Sequence, residues 1–190
     1  MLKNYIFDQQ FEKNDFTIHP FEFSDYEQCQ FYQCNFNQLN LNNINFIDCT
    51  FIECNLSLTK TESASFQQVN FSHCKMIGLN LENCNPFGLK LKFESCILND
   101  SSFHQLQLPK TYFKDCSLEN VDFSNTNLSQ AIFDNCNLKQ AIFSQTNLEK
   151  ANFTSAFNFI INPNENRIKN AKFSKENCIG LLQYFKIKIE

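Results

Sequence analysis

The chain has 190 residues and a formal net charge of −4, enough for one domain with a substantial core but with no basic surplus that would attract nucleic acid. Hydrophobic residues make up 43 % of the chain while its mean hydropathy is −0.36. Apolar and polar positions must therefore be finely interleaved, and no apolar run approaches the length that crosses a bilayer.

The N-terminal stretch MLKNYIFDQQFEKND is interrupted at once by acids and amides, so it lacks a secretory apolar region. A cytoplasmic protein is expected. Tyr5, Ile6 and Phe7 precede the first regular segment and are expected to close one end of it. From Phe11 a large apolar side chain recurs every fifth residue: Phe11, Phe16, Phe21, Tyr26, Phe31, Phe36, Leu41, Phe46, Phe51 and Leu56. Thr61 interrupts the series, which resumes at Phe66, Phe71, Met76 and Leu81. The frame then slips by two residues at Asn85-Pro86-Phe87-Gly88, a turn signal read as a two-residue bulge in one corner. From Phe93 to Phe153 every fifth residue is again Phe or Leu without exception. A period of five is neither the 3.6 of a helix nor the 2.0 of a flat strand, so repetition organises the chain.

Ten cysteines raise the question of a disulfide framework or a metal site. Nine of them, including Cys34, Cys54, Cys74, Cys96, Cys116 and Cys136, lie two residues before a five-fold position, where Ala131, Ala141, Ala151, Val121 and Thr126 stand in other repeats. They therefore serve as small buried side chains. There is no CxxC pair and no Cys/His cluster of ligand spacing, so no metal site is expected. As small buried side chains, the cysteines are expected to be thiols.

The segments CNFNQ (34–38), CTFIE (49–53), CSLEN (116–120), AIFDN (131–135) and ANFTS (151–155) follow the pattern A/C-x-F/L-x-x over roughly residues 11–157. This resembles the pentapeptide repeat family. The resemblance implies an all-β fold, a right-handed quadrilateral parallel β-helix in which four pentapeptides make one square turn. Residues twenty apart then lie on one face, or twenty-two apart across the bulge. On that reckoning the six cysteines named above form one internal ladder and Phe31, Phe51, Phe71, Phe93, Phe113, Phe133 and Phe153 form another. At about 4.8 Å per rung, roughly seven coils give a rod of about 35 Å.

A solenoid needs a cap at each end. After Phe153 the repeat decays through Phe157, Phe159, Ile160 and Ile161, turns at Asn162-Pro163-Asn164 and resumes once at Ala171-Lys172-Phe173. Ser174 as N-cap, Glu176 in the first turn and Ile179, Leu181, Leu182 and Phe185 beyond it predict a short amphipathic capping helix, followed by a last strand at Ile187 and Ile189. The expected division is a β-helix over 1–158 and a cap with a dimerisation segment over 159–190. INPNENRI (161–168), AKFS and the apolar segment after it look like the C-terminal region of Qnr-type quinolone-resistance and microcin-immunity pentapeptide proteins. That likeness implies a homodimer with Ile179, Leu182 and Phe185 in the contact.

No catalytic constellation emerges. His19, His73 and His104 fall on different faces or distant coils, with His19 counted as inward, and three glycines give no phosphate-cradling loop. No enzyme activity and no cofactor are expected, and no basic patch with interleaved aromatics points to direct nucleic-acid binding. Charge is uneven, however. Residues 1–59 hold eight acids against two lysines, residues 60–158 nine against eight, and residues 159–190 three against six bases. Glu53, Glu94, Asp115 and Asp134 are expected to project from the face of the Phe ladder as an acidic stripe.

The resemblance implies a DNA-mimic-like protein whose partner is a type II topoisomerase, DNA gyrase or topoisomerase IV, protected from or modulated against quinolones or a peptide toxin. A duplex of that length carries about twenty negative charges, so mimicry here would rest on shape and a local stripe. The plasmid-borne Qnr proteins carry large loops, whereas this chain has only the bulge near Pro86 and resembles the loop-free members. The alternative is a protein-interaction scaffold with no topoisomerase role.

Overall fold

The computed structural model describes residues 4–185, 187 and 188. They form a parallel β-solenoid. Two of its faces carry regular strands. One is a four-stranded sheet of β1 (Asn4–Phe7), β3 (Ser24–Glu27), β5 (Asn45–Ile47) and β7 (Ser65–Gln67). The other has seven strands: β2 (Gln10–Glu12), β4 (Gln30–Tyr32), β6 (Thr50–Ile52), β8 (Val69–Ser72), β9 (Leu91–Glu94), β10 (Tyr112–Lys114) and β11 (Ile132–Asp134). The remaining faces are joined by single parallel bridges such as Asn35↔Asn55 and Ser102↔Asp122.

Each position of a pentapeptide has a physical task. The central Phe or Leu fills the core, and Phe31, Phe51, Phe93, Phe113, Phe133 and Phe153 are fully buried. The residue two before it also points inward and can reach the backbone carbonyl of the coil beneath. Cys54 Sγ donates to Phe31 O (3.3 Å) and Cys74 Sγ to Phe51 O (3.4 Å). Thr126 Oγ1 to Phe103 O and Thr146 Oγ1 to Phe123 O, both 2.8 Å, repeat the same bond with a hydroxyl. Small donors are therefore favoured there because they satisfy buried carbonyls.

Asn between that residue and the core residue closes the corner, as when Asn35 Oδ1 accepts from Asn37 N (3.1 Å). The residue two after the core position takes the left-handed conformation at corner after corner, for example Gln38 (φ 57), Asp48 (φ 51) and Asn125 (φ 58). Amides and acids dominate these positions, and a short polar side chain such as Asn or Asp tolerates the conformation best.

The phenylalanine column stacks from Phe11 to Phe173. Its centroid separations are 4.7 Å for Phe31–Phe51, 5.0 Å for Phe113–Phe133 and 5.4 Å for Phe71–Phe93. The Phe71–Phe93 pair spans the slip, and the register Val69↔Leu91 and Phe71↔Phe93 confirms an insertion of two residues there. Gly88 (φ +68) lies over Gln67, whose Oε1 is 3.0 Å from where a Cβ would stand. Thr61 is buried, and its hydroxyl donates to Asn80 O (2.5 Å), which explains how a polar residue fits a core position.

Three expectations need correction. His19 is exposed: the chain turns on Asp15, whose side chain holds Thr17 N (2.9 Å) and whose carbonyl accepts from His19 N (2.9 Å). The capping segment forms two 3-10 turns, Cys178–Leu181 and Gln183–Phe185, in place of an amphipathic helix. Ser174 Oγ does accept from Asn177 N (3.1 Å), but the Asn177 amide is drawn to the coil end, donating to Phe153 O (2.7 Å) and Ala156 O (2.9 Å). Gly180 packs so tightly that a Cβ would stand 2.4 Å from Phe159 O, and its carbonyl accepts from Ile161 N (3.0 Å). These contacts tighten the chain into i→i+3 turns. Finally, Ile187 belongs to no strand, while Ile189 lies outside the described residues.

Candidate protein-binding surfaces

The outward residue after each core Phe forms one column on the seven-stranded face. Register places Glu94 opposite Lys114, and Lys114 opposite Asp134. Glu53 (φ 54) and Asp115 (φ 52) stand one residue further on, at the corner. The four carboxylates thus occupy two adjacent columns along one edge. Glu94, Asp115 and Asp134 lie on three successive coils, whereas Glu53 is two coils before Glu94, with His73 between.

Each carboxylate has a partner. Lys114 Nζ lies 2.8 Å from Glu94 and 4.0 Å from Asp115, and Lys92 lies 3.6 Å from Glu94. The hydrogen bond from Lys114, then its charge, holds the Glu94 carboxyl below its ordinary value and raises Lys114 in return. Glu53 accepts from Gln33 Nε2 (2.7 Å), Asp115 from Asn135 Nδ2 (2.7 Å), and Asp134 from Ser155 Oγ (2.8 Å) and Tyr112 OH (3.2 Å). Lys114 is the residue that counting acids alone overlooks. Its place twenty residues after Glu94 was readable from the repeat.

At the C-terminal end Ile179, Leu182 and Phe185 are exposed by 44 %, 37 % and 45 %, joined by Tyr184 at 51 % and Ile160 at 50 %. Leu181, by contrast, turns inward against the core. A groove of about 610 Å³ runs beside the cap, lined by Phe157, Ile160, Ile179 and Gln183 among others. Folding therefore leaves this apolar surface uncovered, and Tyr184 and Ile160 belong to it beside the three residues expected there.

The sulfurs of the internal column are thiols. Burial pushes Cys49 up to about 12 and Cys84 up to about 11, which keeps both protonated and unreactive at neutral pH. Among the described residues no group of three or more His, Cys, Asp or Glu side chains could hold a metal ion. No helix there is long and apolar enough to cross a membrane.

A family profile described as a pentapeptide repeat region matches residues 24–92 and 89–156. A comparison with curated proteins returns no match. Among solved structures, two trypsin-treated forms of QnrB1, described as a plasmid-mediated fluoroquinolone resistance protein, superpose with a TM-score of 0.64 at 13 % identity. One alignment covers 99 % of this chain and 98 % of that one, and the other covers both completely. At that identity the likeness establishes the fold, and the profile spans most of the solenoid: the chain belongs to the pentapeptide repeat family.

Proposed function

We propose that the chain is a non-enzymatic, cytoplasmic binding protein that engages the DNA-binding groove of a type II topoisomerase, gyrase or topoisomerase IV, and modulates or protects it against a poison. The observation that carries this reading is the placement of Glu94, Asp115 and Asp134 on three successive rungs of one edge. A rod with rungs about 4.8 Å apart presents such charges in fixed positions and loses little conformational freedom on binding. The QnrB1-like fold supports the reading. We assign residues 1–158 to the binding rod and 159–190 to a segment that joins two copies through Ile179, Leu182 and Phe185, which would nearly double the length of the rod.

Lys114 supports a second reading, a general protein scaffold, because it neutralises the centre of the acidic column. Gyrase supercoiling, measured with and without a quinolone, separates the two. The first reading expects a protein-dependent change that is abolished by charge reversal at Glu94, Asp115 and Asp134 and strengthened by Lys114→Gln. No effect of the protein in either condition, or full activity of the reversed variant, sinks it. For the cap, solution mass should fall to that of a monomer in Leu182→Asp/Phe185→Asp, and an unchanged dimer would refute the assigned contact.

A further inference from the structure

The two-residue insertion changes the surface of the rod as well as its register. Phe87 N caps onto Asn85 Oδ1 (3.0 Å) and Phe87 itself is thrown outward, 76 % exposed. The chain then rejoins the coil through Lys90 N to Phe66 O (3.1 Å) and Val69 N to Lys90 O (2.9 Å). Beside this detour lies a cleft of about 740 Å³ walled by Asn70, Leu89, Pro109 and Tyr112. Three lysines line it: Lys90, Lys92 and Lys110.

Charge changes sign along this edge. Asp48 Oδ1 accepts from Gln68 Nε2 (2.7 Å), and Gln68 Oε1 accepts from Lys90 Nζ (3.4 Å), so an acid, an amide and a lysine succeed one another on neighbouring coils. The register Lys92↔Tyr112 puts Lys110 on the next coil beyond Lys90. Elsewhere a cation meets a carboxylate of a neighbouring coil, as Lys114 meets Glu94 (2.8 Å) and Arg167 meets Glu149 (2.9 Å). Here Lys90 and Lys110 succeed one another on neighbouring coils. Among the described residues neither Lys90 nor Lys110 has a carboxylate within ion-pair distance, and Lys92 reaches only Glu94 at 3.6 Å, with its ammonium 5.7 Å from the Tyr112 ring centroid.

A concave site lined by three lysines, in a chain that is acidic as a whole, suits a compact anion. Its volume falls in the range of small-molecule sites, about 300–1,000 Å³, and lysine is a common point-charge partner of phosphate. We propose that the cleft beside the insertion binds a phosphate-bearing small molecule through Lys90, Lys92 and Lys110. Asp48, at the far rim, repels the anion from the N-terminal side and so confines its phosphates to the lysine side.

Isothermal titration of the full chain with inorganic pyrophosphate and with ADP, at about 50 mM salt, tests this. Saturable binding at one site per chain is expected, weakening as salt rises. Lys90→Gln/Lys110→Gln should weaken it by about tenfold or more, given the charge-assisted contacts it removes, with an unchanged thermal midpoint. Lys60→Gln/Lys139→Gln, the same charge change elsewhere, should leave it intact. Absence of saturation by either probe up to about 10 mM, or equal binding by the two double variants, overturns the proposal. So does lysine-dependent binding of an acidic peptide or a DNA duplex in the absence of pyrophosphate and ADP binding, which would make the cleft a macromolecular contact.

Discussion

Replacing Phe113 by Ala measures how much of the stability resides in the aromatic column. Phe113 is fully buried, stacked on Phe93 (5.1 Å, 5°) and Phe133 (5.0 Å, 3°), and meets Phe103 and Phe123 edge-on at 6.1 and 6.0 Å. Truncating a core Phe costs about 3–5 kcal/mol through lost burial and the cavity left behind. Aromatic pairs add about 0.5–1.5 kcal/mol each, so a ring with two stacked neighbours belongs near the top, about 5 kcal/mol. Phe173 makes an informative control. It is half-buried and stacks on one ring of the column, Phe153 (5.3 Å), so the same truncation should cost about 2 kcal/mol. Urea unfolding followed by far-ultraviolet circular dichroism, with m compared among wild type and both variants, gives the two values. Equal losses at Phe113 and Phe173 would refute the idea that energy accumulates through nearest-neighbour stacking.

Two buried thiols, Cys49 and Cys84, make stability fall at alkaline pH. Folding raises Cys49 to about 12 and Cys84 to about 11, so their contribution is complete below the ordinary thiol value and is lost as pH climbs through the folded values. The slope is roughly 1.4 kcal/mol per pH unit for each thiol that only the unfolded chain ionises, and a urea midpoint unchanged between about pH 8 and about pH 10.5 would contradict it. Gly180→Ala should detach the cap, because its Cβ would stand 2.4 Å from Phe159 O. Amide exchange should then accelerate at Ile161, whose N–H bonds to Gly180 O, while Phe133, bonded to Asn152 O, stays protected; protection retained at Ile161 would show that the cap accommodates the methyl group.

Period and composition made the core legible because a solenoid converts a distance of twenty residues into direct contact. The Phe column, the cysteine column and the two-residue slip all follow from that rule and all stand in the structure. The acidic residues can be located in the same way, and so can Lys114, which the same twenty-residue step places beside Glu94. The cap resisted reading for a different reason. Ser174, Glu176 and the apolar spacing favour a helix locally, but the Asn177 amide is taken by carbonyls of the last coil and Gly180 by Phe159, contacts that exist only once the coil end has formed. His19 departs from the inward position its spacing implies because the first repeats are irregular and Asp15 sets its own turn. The lysine cleft had no sequence signature as a cavity, since its volume depends on how the inserted residues leave the coil.

The acidic edge and the lysine cleft are also physically connected. Lys92 lines the cleft and at the same time lies 3.6 Å from Glu94, whose second partner is Lys114 at 2.8 Å. An anion in the cleft would compete with Glu94 for Lys92, leaving that carboxylate to Lys114 alone. Exposed pairs of this kind contribute only about 0–1 kcal/mol, so the exchange is nearly free of energetic penalty and easily biased by a ligand. The outward column would then carry a less neutralised Glu94 when the cleft is filled than when it is empty. Because neighbouring rungs are rigid, such coupling needs no change of backbone; it operates through one lysine side chain shared by two surfaces.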